Sequence, residues 1–209
     1  VIQDHHHDNI VSSCGRVMAE IMDRVCGLPL DKLWLSNAMD LFERWLVACD
    51  RCPLALSVGL SSLGLVGANA DQNGDIPTSA AKTCLRVAET VNEALSVDDW
   101  SVVINVVCSG SSAEQLLSAS SSFSDQSHLA FQTAIVNMIK SASESHLLGS
   151  LATVLQDLCV ANITRFPSAG AEAAWYNLAE GVRLLLERGI TQTACQITTQ
   201  TTMKYMESV

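Results

Sequence analysis

Apolar residues recur every three or four positions along most of this chain, which is the spacing of one face of an α-helix. The first apolar stripe spans about residues 9–26 and stops at a Gly-Leu-Pro break, and a second spans residues 33–49. Pro53 suits the first turn of a third helix, whose Leu- and Val-rich sequence predicts that it is largely buried. The first third of the chain is therefore predicted to form three consecutive helices.

Turn and capping signals divide the middle of the chain into further helices. An Asn-Gly loop at residues 69–75 precedes a helix that Pro77 opens. Residues 96–100 predict an N-cap and a short helix that ends at Cys108. The Val- and Ile-rich run of this segment is also compatible with a strand, because short apolar runs do not distinguish the two.

The remaining stretch begins with a serine-rich linker, predicted at residues 118–126. Ser124 or its neighbour caps the next helix, and further stripes predict helices over residues 147–158, from Pro167 and from about Thr191. The last helix is rich in Thr and Gln and weakly apolar, so we expect it to fray. Taken together, these patterns predict an all-α, multi-helix bundle of about eight to ten helices.

One phrase occurs twice along the chain: an apolar residue, a proline, a patch of small residues and then Ala-Glu-x-Val. We interpret it as a sign of two related halves, residues 9–98 and 99–209, packed as one domain behind a flexible tail at residues 1–8. The alternative is chance likeness between Ala- and Val-rich helices. The matched positions, about ninety residues apart, are Phe42 with Phe131, Pro77 with Pro167, and Ala88–Glu89 with Ala179–Glu180.

Composition and charge exclude several classes of function. Hydrophobic residues make up 48% of the 209 positions and charged residues 16%, which is too apolar for a disordered chain. The net charge of −10 repels phosphate backbones, so no nucleic-acid partner is expected. No apolar run approaches the roughly 18 residues that a membrane span needs. A protein partner, a second copy of the chain or an apolar small molecule remains.

Eight cysteines are many for a chain of this size in a reducing compartment. Their even number predicts an oxidising, extracellular environment with up to four disulfides, whereas the alternative is that most are small buried hydrophobic residues. Asn162 begins an Asn-Ile-Thr triplet, a glycosylation acceptor of secreted proteins. The start at Val1 fits a removed signal peptide as well as an arbitrary boundary. The disulfide candidates are Cys14, Cys26, Cys49, Cys52, Cys84, Cys108, Cys159 and Cys195.

Motifs that carry chemistry are sparse. Cys49 and Cys52 form a C-x-x-C pair, but a helix precedes it and Pro53 follows it, so a helix–helix corner is favoured over a redox or zinc site. No nucleophile elbow, P-loop, dinucleotide fingerprint or zinc-protease motif is present. We therefore expect no enzyme activity and no cofactor. A loose metal candidate is the run of three histidines in the tail, His5, His6 and His7.

The two other histidines, His128 and His146, lie outside any motif. We predict that both are helix-surface residues. Below about pH 6.5 all five histidines gain charge and offset part of the net charge of −10, which provides a basis for an acid-triggered change.

Two stretches resemble the light chain of moth silk fibroin. Residues 76–95, IPTSAAKTCLRVAETVNEAL, resemble a Cys-containing, Ala-rich helix of that family, and residues 172–178, EAAWYNL, resemble its Ala-Ala-Trp helix. The acidic, Leu- and Val-lined helices are also similar to the non-repetitive terminal domains of spider silks. The resemblance implies a secreted, all-helical protein that keeps fibre chains soluble and links to them by a disulfide. Cys84, on an apolar helix, and Cys195, near a looser end, are the candidates for this link, although the chain has more cysteines than the family and a different N-terminus.

The leading functional hypothesis is a secreted structural or assembly module that self-associates or forms a disulfide with a fibrous partner. An alternative is a carrier of apolar small molecules in an extracellular fluid, and a third hypothesis is a coat subunit cut from a precursor. A cavity of roughly 300 Å³ or more would favour the carrier. The side chains suited to line such a cavity are Met18, Met22, Met138 and Leu148.

Overall fold

The computed structural model describes residues 32–68, 75–110, 113–143, 145–165 and 172–208, and six helical positions before them, at 13, 16, 17, 20, 21 and 24. The regular elements in these ranges are helices, so the predicted all-α, multi-helix bundle is confirmed for the described part of the chain. The α-helices there are α1 (Lys32–Ala48), α2 (Pro53–Ala68), α3 (Asp75–Val91), α4 (Val97–Gly110), α5 (Ala113–Ser120), α6 (Asp125–Ser141), α7 (Ser145–Arg165), α8 (Glu172–Glu187) and α9 (Thr191–Ser208).

Some predictions fall outside the described residues and stay predictions. They concern the tail at residues 1–8, most of the first stripe, the Asn-Gly centre of the loop after α2 and the helix start at Pro167. Cys14 and Cys26 are also outside the described residues.

Local capping signals place two helix starts where the sequence predicts them. The Ser96 N–H donates to Asp99 Oδ2 at 2.9 Å, and the Asp99 N–H donates to Ser96 Oγ at 3.2 Å, which is a reciprocal capping box at the start of α4. Ser124 caps α6 by accepting a bond from the Ser127 N–H. The run at residues 101–108 that was also compatible with a strand is helical.

The serine-rich residues 118–126 form a helix end and a tight turn. Each of three consecutive hydroxyls bonds back to a carbonyl three residues earlier, from Ser120, Ser121 and Ser122, at 2.7 Å. These bonds satisfy carbonyls that the end of α5 leaves without an intrahelical partner. The predicted linker is therefore ordered by its own serines.

Eight of the nine α-helices in the described ranges form two sets of four that pack in the same pattern, and α5, which belongs to neither set, packs mainly on α7. In the first set α1 packs on α3, α2 on both α3 and α4, and α3 on α4. In the second set α6 packs on α8, α7 on both α8 and α9, and α8 on α9, while α4 joins the sets by packing on α6. The predicted boundary between residues 98 and 99 falls inside α4, which packs on α2 and α3 as well as on α6. Internal duplication itself stays a prediction.

Three aromatic rings occupy the junction between the two sets. Trp100 on α4 lies 4.7 Å from Phe123 and 5.3 Å from Phe131, measured between ring centroids. The two phenyl rings meet edge to face at 5.7 Å. All three are at most 2% exposed, so they form the centre of the core.

Gly59 marks a close approach of α1 and α2. A Cβ atom at this position would lie 2.4 Å from Leu46 Cδ2 and 2.7 Å from Trp45 Cζ3. Leu46 is fully buried and cannot move aside without displacing other core atoms. Packing therefore requires glycine at this position.

We expect Gly59→Ala to lower the free energy of unfolding by about 1–2 kcal/mol. Overpacking a core costs about 1–3 kcal/mol, and the better helix propensity of alanine returns up to about 1 kcal/mol. Gly149→Ala on α7 is the matched control, because a Cβ atom there meets no atom within 4 Å. It should stabilise the protein by up to about 1 kcal/mol. Urea unfolding followed by circular dichroism compares the two, and equal stabilities would contradict the close approach.

Candidate functional site

The described cysteines differ sharply in exposure. Cys84, Cys108 and Cys159 are buried, and burial raises the pKa of their thiols to about 12, 11 and 12. These thiols stay protonated at neutral pH and are poor nucleophiles. Cys195 on α9 is exposed. No two of the six cysteines that the structure describes are joined by a disulfide, so the predicted pairing stays a prediction.

The C-x-x-C pair lies in a tight corner between α1 and α2. The Cys52 N–H donates to the carbonyl oxygen of Cys49 at 2.8 Å, and Pro53 starts α2 directly afterwards. Within the described ranges, no three His, Cys, Asp or Glu side chains are grouped to hold a metal ion. The other metal candidate, His5 to His7, lies outside those ranges.

A polar cluster is buried between α6 and α7. Gln132 Nε2 donates to Asn162 Oδ1 at 2.8 Å, and His128 Nε2 lies 3.3 Å from the same oxygen. All three residues are at most 1% exposed. The prediction that His128 is a surface residue is therefore wrong. A signal was present, because His128 and Gln132 share a three-and-four spacing with the buried Phe131 and Ile135.

Burial and a nearby cation hold His128 neutral. Loss of hydration, together with the smaller effect of the positive charge of Arg165, lowers the pKa of His128 to about 4. Arg165 is fixed at the end of α7, where its Nε donates to Asp125 Oδ1 at 3.0 Å and its guanidinium also donates to the carbonyl of Phe123. A second positive charge beside it is therefore unfavourable.

The position of Asn162 argues against its use as a glycosylation acceptor. Its side chain is 0% exposed, and its amide oxygen accepts the bond from Gln132. A glycan on this nitrogen would have to displace packed core residues. The Asn-Ile-Thr triplet identifies a possible acceptor but carries no information on its burial.

The outward face of α9 carries exposed residues without charge. Positions that are four, seven, eight and eleven residues after Cys195 lie on the same side of the helix. Met203 and Met206 are 54% and 66% exposed there. We call this set the α9 stripe: Cys195, Thr199, Thr202, Met203 and Met206.

Internal hydrogen bonds make the α9 stripe less polar than its sequence suggests. The Thr199 hydroxyl donates to the carbonyl of Cys195 at 2.9 Å, and the Thr202 hydroxyl donates to the carbonyl of Thr198 at 2.8 Å. The stripe therefore presents mainly methyl groups and sulfur atoms to solvent. The opposite face of α9 anchors the helix through its buried Ile197.

Two clefts bear on the carrier hypothesis. The first, of 310 Å³, lies between α7, α8 and α9 and has Cys159 on its floor. The second, of 680 Å³, lies between the two helix sets and includes Met138. Leu148, which was also predicted to line a cavity, is buried in the core, and Met18 and Met22 lie outside the described residues.

Comparison with known proteins identifies no relative of this chain. It matches no protein family, and neither curated proteins nor solved structures show significant similarity to it. Within the described ranges, no helix combines the length and the hydropathy needed to cross a membrane. The function is therefore argued from the residues themselves.

Proposed function

We propose that this chain is a secreted structural or assembly module whose α9 stripe joins it to a second copy of itself. The observation that carries this proposal is Cys195, which is the exposed one among the six described cysteines and lies at one end of the uncharged stripe. Such a surface offers apolar contact together with a covalent anchor. Two identical stripes can meet about a twofold axis, which is the commonest symmetry of self-association.

Charge favours α9 as the contact surface between copies. The chain carries a net charge of −10, so most faces of two copies repel each other. The charged residues of α9 are Lys204 and Glu207, whose Nζ and Oε2 atoms pair at 3.0 Å. The helix is therefore neutral, and two copies that meet along it do not oppose like charges from this helix.

The apolar contact alone is too small for a stable dimer. Full burial of a methionine side chain contributes about 1.5–3 kcal/mol, and Met203 and Met206 are little more than half exposed. Four such side chains gain roughly 4–7 kcal/mol, whereas association costs about 4–15 kcal/mol. A weak encounter that a Cys195 disulfide makes permanent is consistent with these magnitudes.

With oxidised glutathione as oxidant, we expect the chain to form a species of twice its 22.4 kDa mass on a non-reducing gel. Two Cys195 thiols lose two electrons and two protons, and one glutathione disulfide accepts them to become two thiols. Cys195→Ser should abolish this species. Cys52→Ser is the matched control and should dimerise like the parent chain, because Cys52 is half-buried in the α1–α2 corner.

The apolar part of the contact between two copies is tested by a separate pair of variants. Replacing Met203 and Met206 by glutamate should slow the formation of the dimer at least tenfold, because it adds negative charge to a contact between acidic chains. Replacing Leu41 on α1 and Leu65 on α2 by glutamate places the same charge at two exposed leucines and should change little. Dimers that persist without Cys195, or that form equally fast in all variants, would contradict the proposal.

A fibrous partner is the other occupant that the silk resemblance suggests. Cys195 would then form the intermolecular disulfide in preference to Cys84, whose thiol is 0% exposed. Mass spectrometry of the Cys195 peptide after non-reducing extraction distinguishes the two. A link to the same peptide supports self-association, and a link to a repetitive sequence supports the fibre.

A further inference from the structure

The cleft between α7, α8 and α9 adjoins the α9 stripe and shares Thr202 with it, but its other lining residues lie outside the stripe. Its floor consists of Cys159, Leu178 and Ile197, each at most 3% exposed. Trp175 and Val182 form half-buried walls. The cleft therefore has an apolar floor and opens to solvent beside α9.

The cleft is uncharged although the chain is acidic. The side chains that the structure places around it are apolar residues, one cysteine and three threonines. Burial raises the pKa of the Cys159 thiol to about 12, so the floor is neutral as well. An ion that entered would lose its hydration without a compensating partner. The cleft therefore selects a neutral ligand.

The threonines of α9 give the cleft a defined hydrogen-bonding character. The Thr198 hydroxyl donates to the carbonyl of Ala194 at 3.0 Å, and the Thr202 hydroxyl donates to the carbonyl of Thr198 at 2.8 Å. Because their protons are engaged, both oxygens are available to a ligand as acceptors only. A ligand that carries a donor fits this rim.

The hydroxyl group of Thr201 is the polar group of the cleft that most favours a ligand. This hydroxyl lies beside the Cys159 thiol and counteracts part of the rise in the pKa of that thiol, yet Thr201 Oγ1 meets hydrogen-bond geometry with no described group. A buried hydroxyl without a partner costs free energy, and a polar atom of a ligand recovers that cost.

The volume limits the size of the ligand. A cavity of about 150 Å³ holds one benzene molecule. The 310 Å³ of this cleft therefore accommodates about ten to twelve heavy atoms, which is too few for a helix of a partner protein. A small molecule is the occupant that fits.

We propose that this cleft binds a neutral, apolar molecule of about ten heavy atoms that carries one hydroxyl group, as a medium-chain alcohol or a phenol does. The apolar part packs against Trp175, Leu178 and Ile197, and the hydroxyl bonds to Thr201. This inference goes beyond the assembly function and does not depend on it. It gives the carrier hypothesis a specific site.

Isothermal titration calorimetry with 1-octanol tests the site, with octanoate as the charged match. We expect one octanol per chain and at least tenfold weaker binding of octanoate. Thr201→Leu fills the cleft and removes the unpartnered hydroxyl, so it should abolish octanol binding without lowering the thermal midpoint. Thr201→Val keeps the volume and should weaken binding about tenfold. Thr153→Val, at an exposed threonine of α7 outside the cleft, is the matched control and should bind like the parent chain.

Three results would overturn the assignment. They are the absence of saturable octanol binding to the parent chain, binding that Thr201→Leu leaves unchanged, and octanoate that binds as tightly as octanol. The Cys195→Ser chain should bind octanol normally. This variant therefore distinguishes a wrong assignment of the ligand site from a wrong proposal for the assembly function.

Discussion

Replacing Trp100 by alanine should lower the free energy of unfolding by about 3–5 kcal/mol, the largest single-residue effect that we expect in this chain. The indole is fully buried between Phe123 and Phe131, at the packing of α4 on α6 that joins the two helix sets. A cavity at this point faces several helices at once. Their backbones cannot all relax into it, so most of the lost contact stays lost.

Urea unfolding at neutral pH, followed by circular dichroism, measures this loss. Trp100→Phe is the matched variant, because it keeps an aromatic ring and removes Trp100 Nε1–H, a buried donor without a hydrogen-bond partner among the described residues. We expect it to cost about 1–2 kcal/mol. A loss below about 1 kcal/mol for the alanine variant would contradict the aromatic packing at this junction.

Helix starts could be predicted from the sequence because the signals for them are local. Pro53 begins α2, Ser124 caps α6 and Thr191 begins α9, each where the sequence analysis placed it. A proline ring or a capping hydroxyl acts on groups within one turn of itself. Such effects need no knowledge of the tertiary structure.

It was harder to predict which individual side chains face the core and which face solvent. Leu186 continues the apolar stripe of the helix predicted from Pro167 yet is 45% exposed, whereas the polar His128 and Asn162 are buried. Burial depends on which helices meet, and a hydrophobicity pattern treats a polar residue as a surface residue. The buried polar cluster forms because polar side chains from two helices meet at one acceptor, Asn162 Oδ1, and a single stripe does not show that.

The α9 helix also shows that a sequence pattern does not reveal which face of a helix is buried. Its sequence predicts a weakly apolar helix that frays, but it runs continuously to Ser208. Apolar residues lie on both faces, with Ile197 inward and Met203 and Met206 outward. Periodicity that is spread over two faces cancels in a search for one apolar face. Both the α9 stripe and the neighbouring cleft were missed for this reason.

Acidification from pH 7 to pH 4.5 should lower the free energy of unfolding by about 2–3 kcal/mol through His128 alone. Burial and, less strongly, the charge of Arg165 lower the pKa of His128 to about 4, against about 6.5 in the unfolded chain. Between these two values the unfolded chain binds a proton that the folded chain does not, so stability falls as the pH falls. Above about pH 6.5 the contribution is fully present, and below about pH 4 the loss levels off because the folded protein is protonated as well.

Carboxylates also begin to titrate near pH 4.5, so the contribution of His128 has to be isolated by comparison. His128→Gln removes the ionisable ring and keeps an amide that can donate to Asn162 Oδ1, the atom that His128 Nε2 approaches at 3.3 Å. Urea unfolding of both proteins at pH 7 and pH 4.5 should show a drop in the parent chain that is about 2–3 kcal/mol larger than in the variant. Equal drops would mean that His128 is hydrated and titrates normally in the folded state. In that case the acid-sensitive element of this fold would lie elsewhere, because a buried neutral imidazole beside Arg165 cannot accept a proton near pH 6.5 without this cost.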